Sequence, residues 1–372
     1  MSKPFVSSIP LSEFELWHKI EGKRSLISFA LEITARCNNN CSHCCVNLPA
    51  RDKGAEDREL SFEEIQEICD EVVSLGAFWC LLTGGEPLLR EDFFDIYIYL
   101  KKKGLLISVF TNAALITNEH VKLFKKYPPR DIEVSVYGAT QATYENGTRT
   151  PGSFNAFMRG LELLLKSGVK VRLKAMALRS NIHEFREIAR FCRSKTKDYF
   201  RFDPFLHLRY DSDPTRNEEI RSQRLTPEEI GELERSDEER FRALKRECGT
   251  LNMQVFSNET DNRLFRCGAG YHEFVLSYDG LFRLCSSLWH PDCVYNLRKG
   301  SLSDAWKNFV PNVLETASQN EEIVHNCRAC PLISLCMWCP ALAHLETGRM
   351  DSHVEYFCEV AHARVKQLKN LT

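Results

Sequence analysis

Between residues 26 and 210 the chain alternates six short apolar-patterned strands with the amphipathic helices between them. That alternation predicts an α/β protein: a partial (β/α)6 TIM-like barrel, a parallel sheet with right-handed crossovers and its chemistry at the C-terminal ends of the strands. Two further observations complete the outline. Gly76, Gly104 and Gly168 stand where the helices should stop. Beyond residue 265 the regular pattern gives way to closely spaced cysteines, which predicts a second, small domain (265–372) held together by metal.

Taken in order, residues 1–25 read as a short arm with Leu11, Phe14, Leu16 and Trp17 available to pack. It is too short to form an independent peptide-binding domain. Strands are expected at Ser28–Ala35, Phe78–Thr83, Leu105–Thr111, Ile132–Tyr137, Val169–Ala177 and Tyr199–Phe205. Helices are expected at Ser61–Leu75, Glu91–Lys103, Thr117–Tyr127, Ser153–Ser167 and Ile182–Ser194, the first opened by a capping box of Ser61 and Glu64. A polar segment, 211–264, interrupts the apolar period. Within it Thr226-Pro227-Glu228-Glu229 reads as a helix start, and the segment as a connector with a solvated face.

A formal net charge of −2 implies no polyanionic partner, so nucleic acid is not expected. Neither an apolar signal core nor a run long enough to span a bilayer appears, which points to the cytoplasm and away from membranes. In that compartment sixteen cysteines are expected to bind metal rather than form disulfides.

The loop leaving the first strand carries Cys37, Cys41 and Cys44 at CxxxCxxC spacing. Three thiolates from one short loop suit an iron–sulfur cube with one iron left open. Zinc is the alternative, although it prefers four ligands in a structural site. The second strand ends in Thr83-Gly84-Gly85-Glu86-Pro87, where glycines let a ligand approach the backbone. CxxxCxxC followed by Gly-Gly-Glu-Pro at consecutive strand ends resembles the radical S-adenosylmethionine (radical SAM) superfamily. The resemblance implies that Cys37, Cys41 and Cys44 hold a [4Fe–4S] cluster whose open iron binds S-adenosylmethionine. It further implies that Gly84, Gly85, Glu86 and Pro87 hold the methionyl amine, that His43 lies against the adenine, that Ser135 contacts the ribose or methionyl end, and that Arg149 is a candidate for the carboxylate; the alternatives are a plain strand residue at Ser135 and a surface charge at Arg149.

The C-terminal cysteines follow C-x12-G-x4-C from Cys267 through Gly280 to Cys285, then C-x2-C-x5-C-x2-C over Cys327, Cys330, Cys336 and Cys339, then Cys358. This resembles the SPASM extension of radical SAM enzymes, with the last spacing one residue short at Cys339. The resemblance implies two auxiliary iron–sulfur clusters: a distal one on Cys327, Cys330, Cys336 and Cys358, and a proximal one on Cys267, Cys285 and Cys339. Cys293 is the candidate for the fourth proximal ligand, the alternative being an open site. Structural zinc is the competing reading of these thiols. Cys45, Cys69, Cys80, Cys192 and Cys248 are expected to be ordinary buried thiols.

The same resemblance implies reductive cleavage of S-adenosylmethionine to a 5′-deoxyadenosyl radical and net oxidation of a substrate, the auxiliary clusters taking the electron. SPASM relatives mostly modify peptides or proteins, so the expected substrate is a ribosomally made peptide and the expected product a cross-link. Formylglycine formation is an alternative; Ser286 after Cys285 departs from that pattern. A small-molecule substrate is a further alternative, and a zinc-stabilised interaction protein is the reading outside enzymology. Expected protein partners are an electron donor such as flavodoxin or ferredoxin and a separate leader-recognition protein. Asn112, Lys174 and Asp203 stand at strand ends, Lys174 and Asp203 being candidates for acid–base work or substrate contact, with Tyr137 and Tyr271 as further aromatic candidates.

Overall fold

A computed structural model describes residues 15–20, 22–251, 262–328 and 330–369. Leu11 and Phe14, and the side chains of Leu16, Trp17 and Cys248, lie outside what is described. The six expected strands form as β1 (Ser28–Glu32), β2 (Trp79–Thr83), β3 (Leu106–Thr111), β4 (Asp131–Val136), β5 (Val171–Met176) and β6 (Arg201–Asp203). They pair in parallel in sequence order. Most strand ends are trimmed by a residue or two relative to the sequence pattern, as hydrogen bonding stops before the apolar pattern does.

The sheet does not end at β1. Three strands from the cysteine-rich region, β7 (Glu273–Leu276), β8 (Leu281–Arg283) and β9 (Val294–Asn296), continue it. β7 runs parallel to β1, with Ser28 opposite Glu273 and Leu31 opposite Leu276, while β8 and β9 return antiparallel. Among the described residues the result is one nine-stranded sheet in the order β9-β8-β7-β1-β2-β3-β4-β5-β6.

Strand alternation separates two faces. Phe29, Leu31, Cys80, Leu82, Ile107, Val109, Val134 and Leu173 are buried in the main core. Around that core lie α1 (Phe62–Ser74), α2 (Phe93–Lys102), α3 (Asn118–Lys126), α5 (Ser153–Ser167) and α6 (Phe185–Lys195), with a two-turn helix α4 (Gln141–Thr148) between β4 and α5. Ser28, Ala30, Glu32, Thr83 and Ser108 line a cavity of about 510 Å³ on the concave side, whose lining includes Gly84 and Cys285. Trp79, Leu81, Phe110 and Phe274 share that lining, so this face mixes polar groups with apolar side chains.

Local chemistry explains the element boundaries. Ser61 Oγ accepts from the Glu64 amide at 3.1 Å and the Glu64 carboxylate accepts from the Ser61 amide at 2.8 Å, a cap that contributes about 1 kcal/mol. Gly168 takes φ = 82° and stops α5. Among the described residues of the connector three helices form, α7 (Pro214–Ser222), α8 (Pro227–Ser236) and α9 (Glu238–Leu251), and Thr226 and Glu229 make a further capping box. α8 packs on the C-terminal helix α10 (Glu355–Lys369), where fully enclosed Glu234 takes two 2.7 Å bonds from Arg364.

Among the described residues no helix is long and apolar enough to cross a membrane.

Candidate active site

The Gly-Gly-Glu turn and the cysteine loop are joined by their backbones. The Gly85 amide donates to the Thr34 carbonyl at 2.7 Å and the Glu86 amide to the Arg36 carbonyl at 2.9 Å. No side chain fits between the two segments. A Cβ at Gly84, which sits at φ = 142°, would meet the Thr34 oxygen at 2.1 Å, and one at Gly85 the Ala35 and Arg36 oxygens at 2.4 Å. Close approach therefore requires both glycines, and at Gly84 the conformation does so as well.

Glu86 itself turns inward. Its carboxylate is fully buried and accepts from Thr111 Oγ1 and the Asn112 amide, each at 2.7 Å, and from the Leu88 amide at 3.2 Å, capping a turn begun by Pro87. Burial pushes its pKa up to about 7 against the pull of those three donors. It thus links the ends of β2 and β3. Asn112 continues the chain of contacts: its Nδ2 donates to Asn38 Oδ1 at 2.9 Å and lies 3.8 Å from Cys37 Sγ.

Cys37 and Cys41 are buried and Cys44 is half-buried. The loop is also held from the flank: the Asn40 and Ser42 amides donate to the carbonyls of Thr148 and Gly147 at the end of α4. From α7, Arg216 donates to the Cys41 carbonyl and to Asn47 Oδ1, both at 3.0 Å. Burial pushes the Cys37 thiol up to about 12 and Cys41 well above its ordinary value. Without a cation these groups keep their protons; a bound metal lowers the thiol pKa and displaces them.

Whether these residues fit a cluster and its cofactor can be judged from polar atoms left without partners. Both amide atoms of the Asn39 side chain, Nδ1 of His43 and the hydroxyl of Tyr144 are buried and make no hydrogen bond. Buried polar groups rarely go unpaired unless something else satisfies them. Such atoms, gathered around one cysteine loop, fit a site that completes itself with a ligand. The His43 ring lies 4.9 Å from that of Tyr137, and burial lowers its pKa to about 4.

The remaining candidates divide. Ser135, on β4, lies opposite Lys174. Arg149, in the left-handed region at φ = 51°, ends α4 and pairs with Glu219 of α7 at 2.8 Å. Lys174 and Asp203 stand on neighbouring strands, and among the described residues neither forms an ion pair; Asp203 accepts from the Phe205 amide at 3.0 Å. Near both lies His207, which the sequence pattern does not single out. Its Nδ1 is 2.8 Å from Ser287 Oγ, and burial lowers its pKa while Asp203 opposes that effect. Ser287 follows Cys285 by two residues, so the pair ties the sixth strand's end to the cysteine-rich region. Beside it Arg283 lies 3.5 Å over the Trp289 ring, which stacks at 3.9 Å on Tyr210. Tyr271 is exposed at 37% and away from this group.

The C-terminal thiols separate into two sets. Cys327, Cys330, Cys336 and Cys358 line one cavity with Trp338 and Val354. Cys339 feels the charges of Cys285 and Cys267, and Cys285 feels that of Cys267. Buried Cys293 neighbours Cys285 and lies 3.8 Å from Met350 Sδ. Among the described residues no three His, Cys, Asp or Glu side chains converge tightly enough for a single metal ion.

Residues 31–192 match the radical SAM superfamily. Across 337 residues the chain is 26% identical to the AdoMet-dependent heme synthase of Methanosarcina barkeri, covering 86% of this chain and 92% of that protein. It is 30% identical over 164 residues to the mycofactocin maturase MftC of Mycolicibacterium smegmatis, 44% of this chain and 41% of that one. Among solved structures, Streptococcus suis SuiB bound to its precursor peptide SuiA superposes with a TM-score of 0.63 at 15% identity, over 94% of this chain and 82% of SuiB.

Proposed function

This chain is a radical SAM enzyme, and from that premise we propose that it oxidatively modifies a ribosomally made peptide, forming a cross-link at the mouth of the barrel. The observation that carries the reading is the presence of two separate thiol sets alongside Lys174, Asp203 and His207. A site that only rearranged its substrate would have no use for additional electron acceptors.

In this reading Cys37, Cys41 and Cys44 would hold the catalytic cluster, and Gly84, Gly85, Glu86, Pro87 and His43 would hold S-adenosylmethionine. Bound there, the cluster and S-adenosylmethionine supply a 5′-deoxyadenosyl radical that takes a hydrogen atom from the substrate. The chain does the rest. Asn112 and Arg216 hold the cysteine loop in place, Gly84 and Gly85 admit the cofactor, and Ser135 faces it from the sheet. Arg149, committed to Glu219, contributes from outside by fixing α4 against α7. Lys174 and Asp203 orient the substrate, and His207, kept neutral by burial, accepts the proton released on oxidation. Cys327, Cys330, Cys336 and Cys358 hold one auxiliary cluster; Cys267, Cys285 and Cys339, with Cys293, hold the other.

Peptide substrates are supported by the likeness to MftC, a maturase, and by the fold shared with SuiB, which binds a precursor peptide. A flavodoxin or ferredoxin as electron donor and a separate leader-recognition protein belong to the same reading. A second reading rests on one observation: the heme synthase is matched over nearly its whole length, which supports a porphyrin-like small molecule in the same cavity.

The test is anaerobic reconstitution with iron and sulfide, then dithionite and S-adenosylmethionine, with 5′-deoxyadenosine read by mass spectrometry. Formation that disappears in a Cys37→Ala, Cys41→Ala, Cys44→Ala variant is expected. Product from that variant, or a zinc-loaded colourless protein, would sink the proposal. Candidate precursor peptides and iron porphyrins, offered in parallel, then separate the two substrate classes by which one gains an oxidised mass.

A further inference from the structure

Tyr144 is placed with more care than a core tyrosine needs. It lies on α4, the helix whose C-terminal carbonyls hold the cysteine loop through Asn40 and Ser42. Its ring is fixed on several sides: stacked on Phe157 at 4.8 Å, 5.6 Å from Phe154 and 5.8 Å from Tyr137. Gly138 lets the helix come this close, because a Cβ there would meet the Tyr144 amide nitrogen at 2.4 Å. The side chain is 0% exposed, yet its hydroxyl makes no hydrogen bond. Phenylalanine would fill the same space without leaving a buried donor unpaired.

The neighbours of that hydroxyl identify what is missing. The ionisable groups whose charges reach it are Cys41, Glu86 and Cys37. Glu86 is already occupied by Thr111, Asn112 and Leu88. What is left is the sulfur that Cys37 and Cys41 present, and no bond from the hydroxyl to either thiol is made in the protein alone. A donor held rigidly near two cluster ligands, but short of both, is positioned for the sulfur of something larger between them.

We propose that the Tyr144 hydroxyl donates a hydrogen bond to sulfur of the cluster held by Cys37, Cys41 and Cys44, and that this bond sets the reduction potential of that cluster. The inference rests on the assignment of the cluster to those three cysteines. Hydrogen bonds to cluster sulfur stabilise the more negative, reduced state and so raise the potential. Tyr144 is a positioning residue in this sense, touching the cluster and not the substrate.

The experiment is a redox titration of the reconstituted full chain followed by electron paramagnetic resonance, the catalytic cluster being identified as the signal that changes on adding S-adenosylmethionine. Tyr144→Phe is expected to move the midpoint of that signal to a more negative value and leave the other signals where they are. Replacing Tyr144 with 3,5-difluorotyrosine, a stronger donor of nearly the same shape, is expected to move it the other way. Thermal unfolding of the metal-free protein should show Tyr144→Phe at least as stable as wild type, because the phenol has no partner to lose. A midpoint unchanged in both substitutions overturns the inference, as does a Tyr144→Phe protein that is destabilised without metal. If wild type shows no signal responsive to S-adenosylmethionine, the cluster assignment itself falls, an outcome distinct from the first two.

Discussion

The amide of Glu86 lies 2.9 Å from the carbonyl of Arg36, the residue that precedes Cys37. With the Gly85–Thr34 bond beside it, this contact sets the cysteine loop in register with the end of the second strand.

Gly85→Ala should therefore damage the catalytic cluster selectively. A Cβ at 2.4 Å from two carbonyl oxygens must push the segments apart, and backbone strain of this kind costs about 1–3 kcal/mol or more. Reconstituted Gly85→Ala is expected to retain about four fewer irons per chain than wild type. Iron and sulfide analysis reads this directly, and full iron content would contradict it.

The two C-terminal thiol sets should behave independently. Cys336→Ser is expected to remove about four irons, and Cys285→Ser about four others, with both losses adding in the double variant. Cys293→Ser tests the remaining ligand. Loss of the same iron as in Cys285→Ser would establish Cys293 as part of that set, whereas unchanged iron would leave it as a core thiol against Met350.

Much of this arrangement is legible in the sequence because it rests on short-range rules. Strand–helix alternation, the Ser61–Glu64 cap, the helix start at Thr226-Pro227 and the stop at Gly168 each involve residues a few positions apart, and the structure has them all. Other features are not legible. Helix α4 is only eight residues long and carries little amphipathic pattern, so nothing marks it between β4 and α5. The inward turn of Glu86 depends on Thr111 and Asn112, about 25 residues away. His207 acquires its role from Ser287, 80 residues distant. The pairing of β7 with β1 is longer range still, and a four-residue strand bears no label of its partner.

His207 gives the protein a dependence on acidity. Burial lowers its folded pKa below the ordinary 6.5, with Asp203, Lys174, Arg224 and Glu346 also acting on it, and Ser287 at Nδ1. The unfolded chain thus binds a proton more readily. The stability contributed by neutral His207 is fully present above pH 6.5 and is lost as pH falls below it toward the lowered folded value. Denaturation midpoints at pH about 7.5 and about 5.5 should differ less for His207→Gln than for wild type; an equal difference would count against this environment for the ring.

The Arg364–Glu234 pair offers a test of how the C-terminal helix is held. Both side chains are enclosed, at 3% and 0% exposed; removing Glu234 leaves the Arg364 charge with only the Leu335 carbonyl, whereas Glu234 has a second partner in Arg240 at 3.1 Å. Glu234→Ala alone is expected to cost about 3–5 kcal/mol, while replacing both residues with apolar groups of similar volume should cost much less. Urea denaturation of the single and double variants decides the matter.

The parallel ladder between β7 and β1 has a consequence for timing. The loop carrying Cys37, Cys41 and Cys44 after β1 and the turn carrying Cys285 after β8 leave strands of a single hydrogen-bonded slab, so in the reading proposed above the radical's source and the electron acceptor ride on one body. Tunnelling rates fall steeply with separation, so a protein that placed its donor and acceptor on hinged bodies would turn over at the pace of the hinge. In the proposed reading that separation is built into the sheet, and the substrate is the component left to move.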